Sequence, residues 1–379
     1  MRICVLTQYF YPHAGGSQEY IVQLYSHLQK IDPSVAVDVI CYNTDNAPKV
    51  ENYNGLTVYR VGCLQVLPGQ FAIPNYLELF QLLRKLKQQH SYDFLNTHTR
   101  FFENSWWAPL AAQFLGAQSI LTDHCATHPT HQNSFLQTCI QFFDTLLLKS
   151  IVHAYKHITV VSTTTQEFLA AYGHTSTVMV AGVDTVFNSK TEKMLPDVKL
   201  PENAIVVSYL GRMIPSKNPA LVVAAAQKIT TAHPDVYFLF AGTGSELSKL
   251  QPAATKQIIF LGQLEHKAAA AVLKNTDIFV YPSQHHEGLP ISILEAGASG
   301  CAVIATDNGG IKEVIIDGET GLFVTPTVAD TIEKIEKLLG NAPQRHKLAA
   351  ALQKKVAQTF SWQQTAQKFS DYLQSLKQS

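Results

Sequence analysis

The sequence is short of charge, of paired cysteines and of long apolar runs. Charged residues make up only 15% of the 379, and Lys+Arg 29 balance Asp+Glu 29. Without a basic excess, a nucleic-acid binder relying on a positive surface is disfavoured. Six cysteines (Cys4, Cys41, Cys63, Cys125, Cys139, Cys301) lie far apart, with no Cys-x-x-Cys. That pattern suits reduced thiols, not a disulfide framework or a zinc ribbon. No segment reaches the ~20 apolar residues that span a bilayer. The stretch Met1–Thr7 lacks a small-residue cleavage site and runs into a glycine loop, so it reads as a first strand. A cytoplasmic protein is expected. Gly-x-Gly-x-x-Gly, a Walker loop and Asp-x-Asp are also absent, which weakens the dinucleotide, P-loop and metal–diphosphate readings.

What is present is a globular α/β pattern. Hydrophobic residues are 46%, and the length exceeds one ordinary core, so two domains are expected. Short β-branched runs alternate with helical stretches, which argues for parallel sheets covered on both faces. The first half reads as strands near Ile3–Leu6, Val35–Cys41, Leu56–Val61, Phe94–Thr97, Ser119–Thr122, His157–Val161 and Val178–Val180. Helices fall at Ser17–Lys30, Asn75–Gln89, Phe135–Val152 and Thr163–Tyr172. The apolar helices Asn75–Gln89 and Phe135–Val152 are expected to belong to the core. Phe187–Glu202, with Pro196 and Pro201, reads as a linker. The pattern then restarts at Ala204–Leu210 and ends in a helix over Ser361–Leu376. In such sheets the strand carboxyl ends carry the site.

Three segments concentrate the chemistry. Gly15-Gly16-Ser17 lies between the first strand and first helix, where small residues admit a ligand to the backbone and free N–H groups. Gly211-Arg212 and Lys217 close the first strand of the second half; an Arg fork with a Lys ammonium can neutralise a diphosphate. The third is Glu287-Gly288-Leu289-Pro290 leading to Glu295 on a helix. A carboxylate beside Leu294 and Ala296 is costly unless it accepts hydrogen bonds, and vicinal ribose hydroxyls would supply them. The plain alternatives are solvated loop cations, a strand-to-helix turn and an exposed helical glutamate. Gly242-x-Gly244 and Gly309-Gly310 read as turn glycines without catalysis. His124, His128 and His131, with Pro129 between them, lack helical ligand spacing and are read as no metal site.

In this order the motifs resemble those of the retaining, nucleotide-sugar-dependent glycosyltransferases of family 4 (group 1) type. Asn308-Gly309-Gly310 with Glu313, and Asp317-Gly318 through Gly321-Leu-Phe-Val324, complete the resemblance. It implies a GT-B fold, two Rossmann-like α/β domains facing each other across a cleft. The domains would be 1–186 for the acceptor and 203–360 for the nucleotide sugar, with the terminal helix 361–379 returning to the first. It further implies Arg212 and Lys217 on the donor diphosphate with Gly15 and Gly16, Glu295 on the ribose, and Glu287 on a donor-sugar hydroxyl. Gly288, Leu289 and Pro290 would line the donor, Gly262 and Leu264 would meet the base, and His124 would stand beside the anomeric centre. Ser17, His98, Thr99 and Arg100 are expected at the acceptor. Where relatives usually place glycine after that histidine, this chain has Cys125-Ala126.

The expected reaction moves a hexose-type sugar, with retention and without a metal, to a glycan, lipid-linked or small-molecule hydroxyl. No separate cofactor is expected, a UDP- or GDP-sugar being the substrate. Contact with the inner face of a membrane would be weak and peripheral at most. The alternatives are a non-catalytic nucleotide-sugar-binding subunit and a GT-B epimerase or phosphorylase.

Overall fold

The computed structural model describes residues 1–13, 15–67, 71–129, 134–150, 152–188 and 198–378. Contacts divide the chain into two units, Met1–Ala181 with Trp362–Ser379, and Gly182–Ser361.

The first unit begins β1 (Arg2–Leu6), α1 (Gly16–Ile31), β2 (Ala36–Tyr42), β3 (Val50–Tyr53) and β4 (Leu56–Val61). A hairpin of β5 (Cys63–Leu67) and β6 (Phe71–Pro74) follows, then α2 (Tyr76–Gln89), β7 (Phe94–His98) and α3 (Asn104–Leu115). It continues with β8 (Gln118–Asp123), α4 (Ser134–Lys149), β9 (His157–Val160), α5 (Thr163–Ala170) and β10 (Thr177–Val178). The sheet order is β10-β9-β8-β7-β1-β2-β4-β3, with β3 antiparallel to β4 and the other neighbours parallel. Ile3 pairs with Val37 on one side and Phe94 on the other. The chain order therefore reverses between β1 and β7, and a crevice for ligands opens at such a reversal.

Strands such as β1, with Ile3 to Leu6 fully buried, need helices on both faces, and the apolar stripes of α2 and α3 supply one cover. Leu79, Leu83 and Leu86 join Ala108, Ala111 and Leu115 over Leu6, Leu95 and Leu121. Helix α3 was not legible in the sequence, because Pro109 lies inside it and proline breaks the backbone ladder. The carbonyl of Ser105, which Pro109 cannot reach with an N–H, accepts the Tyr155 hydroxyl instead. Helix α2 meets the expectation of a core helix on one face only, and α4 departs from it. Helix α4 buries only Asp144, Leu147 and Leu148, and the outer faces of both carry exposed aromatic and aliphatic side chains.

The second unit runs α6 (Thr185–Asn188), β11 (Ile205–Leu210), α7 (Pro219–Ala232), β12 (Val236–Ala241), α8 (Leu247–Leu250) and β13 (Ile258–Gly262). Next come α9 (His266–Lys274), β14 (Ile278–Tyr281), α10 (Ile291–Ser299), β15 (Ala302–Ala305) and α11 (Ile311–Val314). Strand β16 (Leu322–Phe323), α12 (Val328–Leu339) and α13 (Ala342–Thr359) complete it, and α14 (Trp362–Gln378) belongs to the first unit. The all-parallel sheet has the order β13-β12-β11-β14-β15-β16, so its reversal lies between β11 and β14. Val207, Phe238, Phe240, Ile278 and Ile304 pack under α7 and α12.

The expected linker is corrected at its start. Phe187 is buried, its ring 4.9 Å from that of His266, while Asp184 Oδ2 stands 3.5 Å from His266 Nε2. A fully buried phenylalanine anchors α6 in the second unit, and the boundary falls at Ala181/Gly182. Residues 189–197 of that segment lie outside the described residues.

Candidate active site

In the second unit the loops after β11, β14 and β15 meet at the carboxyl edge, beside the reversal. Lys217 closes a short 3-10 turn, Pro215–Lys217, which folds its side chain inward to 8% exposure. Its Nζ donates to the Tyr281 hydroxyl at 2.9 Å and pairs with Glu287 Oε1. The same oxygen accepts Ser283 Oγ at 2.7 Å and the Tyr281 hydroxyl at 3.3 Å. All three donors use Oε1, so Oε2 of Glu287 stands without a partner among the described residues.

The backbone beneath this cluster is pinned. Gln284 N–H donates to Ser216 O at 2.9 Å, and Asn308 Nδ2 donates to Ser283 O at 2.7 Å. Gly310 N–H donates to Glu287 O at 2.9 Å. Gly309, at φ +57°, comes so close that a Cβ would lie 2.2 Å from Glu287 O. Gly242, at φ +131°, packs on Gly211 in the same way, with Gly211 O at 2.0 Å. The turn glycines are thus the contact surfaces that fix the Arg212 and Glu287 loops.

Burial depresses the Lys217 ammonium, the Glu287 charge opposes that, and Arg212 adds to it; the result stays below the ordinary 10.5. Burial alone would raise the Glu287 carboxyl, but Lys217 and Ser283 hold it below its usual value. Glu287 is therefore a carboxylate at neutral pH, and its charge works against the loss of the Lys217 proton. Burial also pushes the Tyr281 phenol well up, leaving it a neutral donor.

Arg212 lies exposed on the same loop, its carbonyl held by the Tyr209 hydroxyl at 2.8 Å. Gly288, Leu289 and Pro290 are buried, and Pro290 is the N-cap of α10. Glu295 is buried one turn further along α10. Gly262 ends β13 and Leu264 follows it, separated from Lys217 by β12, and Leu264 packs on Val206, Leu239 and Val272. Tyr281 and Ser283 carry as much of the cluster as the residues singled out in the sequence. Their signal was available: polar side chains at and just past the end of a buried strand.

In the first unit α1 begins at Gly16 with Gly15 as an N-cap lacking a side-chain bond. Ser17, in its first turn, is half-buried, with Oγ 3.2 Å from Gln18 Oε1. At the ends of β7 and β8, His98 Nδ1 lies 3.1 Å from His124 Nε2, and the Tyr20 ring meets His124 edge-on at 5.0 Å. Burial holds His124 near 4, and burial together with the neighbouring His124 pushes His98 well below its usual value, so both are neutral and one proton joins them. His98 is almost fully buried; a ligand at His124 would meet His98 only through it. Thr99 has φ +67°, a β-branched residue in left-handed backbone, where a strain of roughly 1–3 kcal/mol is stored.

Arg100 is a correction. Its guanidinium is buried, with Nε and Nη2 on Asp144 at 3.1 and 2.9 Å, Nη1 on Asp123 and Cys125 O, and Nη2 also on Thr127 O. All five N–H donors are engaged. Arg100 braces β8 and α4 and has no donor left for an acceptor. His128 joins the same brace through Asp144 at 2.6 Å and Tyr172 at 2.9 Å. Among the described residues no three His, Cys, Asp or Glu side chains gather as a metal site; His131 lies outside them.

The model for glycosyl transferases group 1 matches residues 190–355, and that for glycosyltransferase family 4 matches residues 14–187. A glycosyltransferase of Methanocaldococcus jannaschii is 22% identical, with 99% of each chain covered. The gpi3 subunit of the Schizosaccharomyces pombe phosphatidylinositol N-acetylglucosaminyltransferase is 24% identical over 96% of this chain and 78% of its own. Among solved structures, sucrose-phosphate synthase from Thermosynechococcus elongatus superposes with a TM-score of 0.78 at 21% identity, covering 100% of both chains. Anabaena HepE in complex with UDP gives 0.75 at 17%, over 99% of this chain and 100% of its own. With the two models taking in most of its length, the chain is a glycosyltransferase of the group 1, family 4 type, built on the GT-B fold.

Proposed function

We propose that this protein transfers a hexose-type sugar, with retention, from a UDP- or GDP-sugar to a hydroxyl of a glycan, lipid-linked or small-molecule acceptor, without a metal. The observation that carries the reading is the buried Lys217–Glu287 pair with exposed Arg212 at the sheet reversal. Departure of a nucleoside diphosphate builds negative charge. A fixed, desolvated ammonium meets such charge more strongly than a solvated one. Lys217 and Arg212 take the diphosphate in this reading, Glu287 Oε2 takes a donor-sugar hydroxyl, and Glu295 takes the ribose. The acceptor belongs to the first unit, near Ser17, Thr99 and His124. The HepE structures with UDP and with UDP-glucose favour the uridine donor.

The test is a melting-temperature panel of uridine, guanosine and adenosine diphosphate sugars, followed by NMR of the product's anomeric proton. One donor class should raise the melting temperature. Lys217→Ala and Glu295→Ala should each weaken its binding by about 1–3 kcal/mol, the range for charged hydrogen bonds. The product should keep the donor's anomeric configuration. A flat panel overturns the donor site, and an inverted product overturns retention.

A further inference from the structure

The outer faces of α2, α3 and α4 form a surface that the transfer chemistry does not use. On α2, Leu77, Phe80, Arg84 and Lys87 recur at helical spacing on one exposed stripe, with Leu77 at 69% exposure. On α3, Trp106, Leu110 and Phe114 stand four residues apart, with Leu110 also at 69%. On α4, Phe135 at 76% and Phe142 at 67% lead through Leu146 to Lys149. Contacts join the stripes into one face. Phe80 meets Phe114 at 5.6 Å, Trp106 meets Phe143 at 5.1 Å, and Lys87 Nζ sits 4.5 Å over the Phe114 ring. An apolar surface of this extent on a soluble body marks a docking site.

The charges decide what docks. Of the acidic residues on these helices, Asp144 is buried under Arg100, and Glu78 is paired with Lys49 at 2.9 Å. The charges left exposed are Arg84, Lys85, Lys87 and Lys149. A second copy of the chain, docking by a two-fold axis, would set these cations against each other. An anionic bilayer matches both the cations and the apolar stripes. By length and composition Ser134–Ala154 would pass as a membrane span. Yet α4 itself has 16 residues, a rise of roughly 24 Å against a hydrocarbon core of about 30 Å. Its Asp144 is locked to Arg100 and its Leu147 and Leu148 are buried in the unit. Such a helix is suited to lie along a membrane surface, not to cross it. The first 185 residues hold 10 Lys+Arg and 12 Asp+Glu, so any attraction is local to this face.

We infer that the α2–α3–α4 face seats the protein on the surface of an anionic lipid bilayer, its aromatic and aliphatic side chains in the acyl boundary and its cations at the headgroups. The inference does not depend on the donor assignment, because binding is read without turnover. The test is flotation of the full chain with phosphatidylcholine vesicles, alone or mixed with phosphatidylglycerol, at low and high salt. Binding should need the anionic lipid and weaken with salt. The pairs Leu77→Ser with Phe80→Ser, and Phe142→Ser with Leu146→Ser, should each weaken it by about tenfold or more. Each of Arg84→Ser, Lys85→Ser and Lys87→Ser should cost about fivefold. Ile316→Ser, which removes an exposed apolar side chain of the second unit, should change nothing. Retained melting temperatures show that the variants fold. Absence of binding to the mixed vesicles, or equal binding by every variant, overturns the inference. So does a lipid-free dimer that the same variants disperse, since a second copy would then cover the face.

Discussion

Lys217 and Glu287 lie 70 positions apart and share one buried contact, so each sets the ionisation of the other. The Glu287 carboxyl is held below its usual value. Its contribution to stability is therefore complete above the unfolded-state pKa and fades as pH falls through the depressed folded value. Glu287→Gln should be less stable than the parent at neutral pH. The gap in melting temperature should narrow as pH falls below the unfolded-state carboxylate value of about 4.3 and close once the parent's own carboxylate is protonated. A gap that stays constant through that range would show that Glu287 does not depend on its charge. At this scale the sequence was informative where a polar residue followed a strand. It marked Lys217 and Glu287 on loops that follow strands, and Glu295 beside the apolar Leu294 and Ala296. It could not distinguish Arg100 from them, because a buried guanidinium clamped by two aspartates and a ligand-binding one have the same local sequence. What separates them is Asp144, brought from 44 residues away.

Among the elements, strand and helix periodicity located most of the sheet order's raw material, with most ends displaced by no more than two residues and the end of α4 by three. The failures share a cause. Helix α3 survives Pro109 because a tertiary hydroxyl, that of Tyr155, takes the freed carbonyl, and no local pattern announces it. Strand β3 and the β5–β6 hairpin are short and partly exposed, so they lack the continuous apolar run of a doubly covered strand. The connection after β15 shows what a turn glycine does in the fold. Gly309 occupies left-handed backbone directly against Glu287 O and N, and the Glu287 loop rests on it. Gly309→Ala would add both backbone strain and a collision with main-chain atoms that have no rotamer to escape through. A loss of about 1–3 kcal/mol in denaturant unfolding is expected, together with weaker nucleotide-sugar binding. The reference is Gly318→Ala, which has a similar φ but open space around it. Equal effects on nucleotide-sugar binding in the two variants would mean that contact with Glu287 contributes nothing beyond strain.

At the level of the whole chain, the first unit is discontinuous: α14 follows the second unit in sequence and packs back on α1. Its hydrophobic stripe carries Trp362, Ala366, Phe369 and Leu373, all buried. Trp362 lies edge-on to Tyr20 at 5.3 Å, and Phe369 to Tyr25 at 6.0 Å. Polar bonds fix the register: Thr365 Oγ1 donates to Val180 O at 2.9 Å, Gln118 Nε2 donates to Leu376 O at 3.1 Å, and Lys377 pairs with Asp93 at 2.7 Å. The exposed pair Lys377–Asp93 adds little; the aromatic burial dominates, since deleting a buried Phe or Trp side chain costs about 3–5 kcal/mol. Removing residues 362–379 takes away two such side chains and Leu373, and a single unit has only about 5–15 kcal/mol of net stability. The truncated chain should therefore lose the first unit's folding transition, or have it shifted far down in temperature. The second unit, whose strands and helices all come from Gly182–Ser361, should keep its own. Differential scanning calorimetry reads both at once. Two undisturbed transitions after truncation would mean that α14 rests on the first unit without holding it together. The double substitution Trp362→Ala with Phe369→Ala, leaving the helix in place, would then be silent as well.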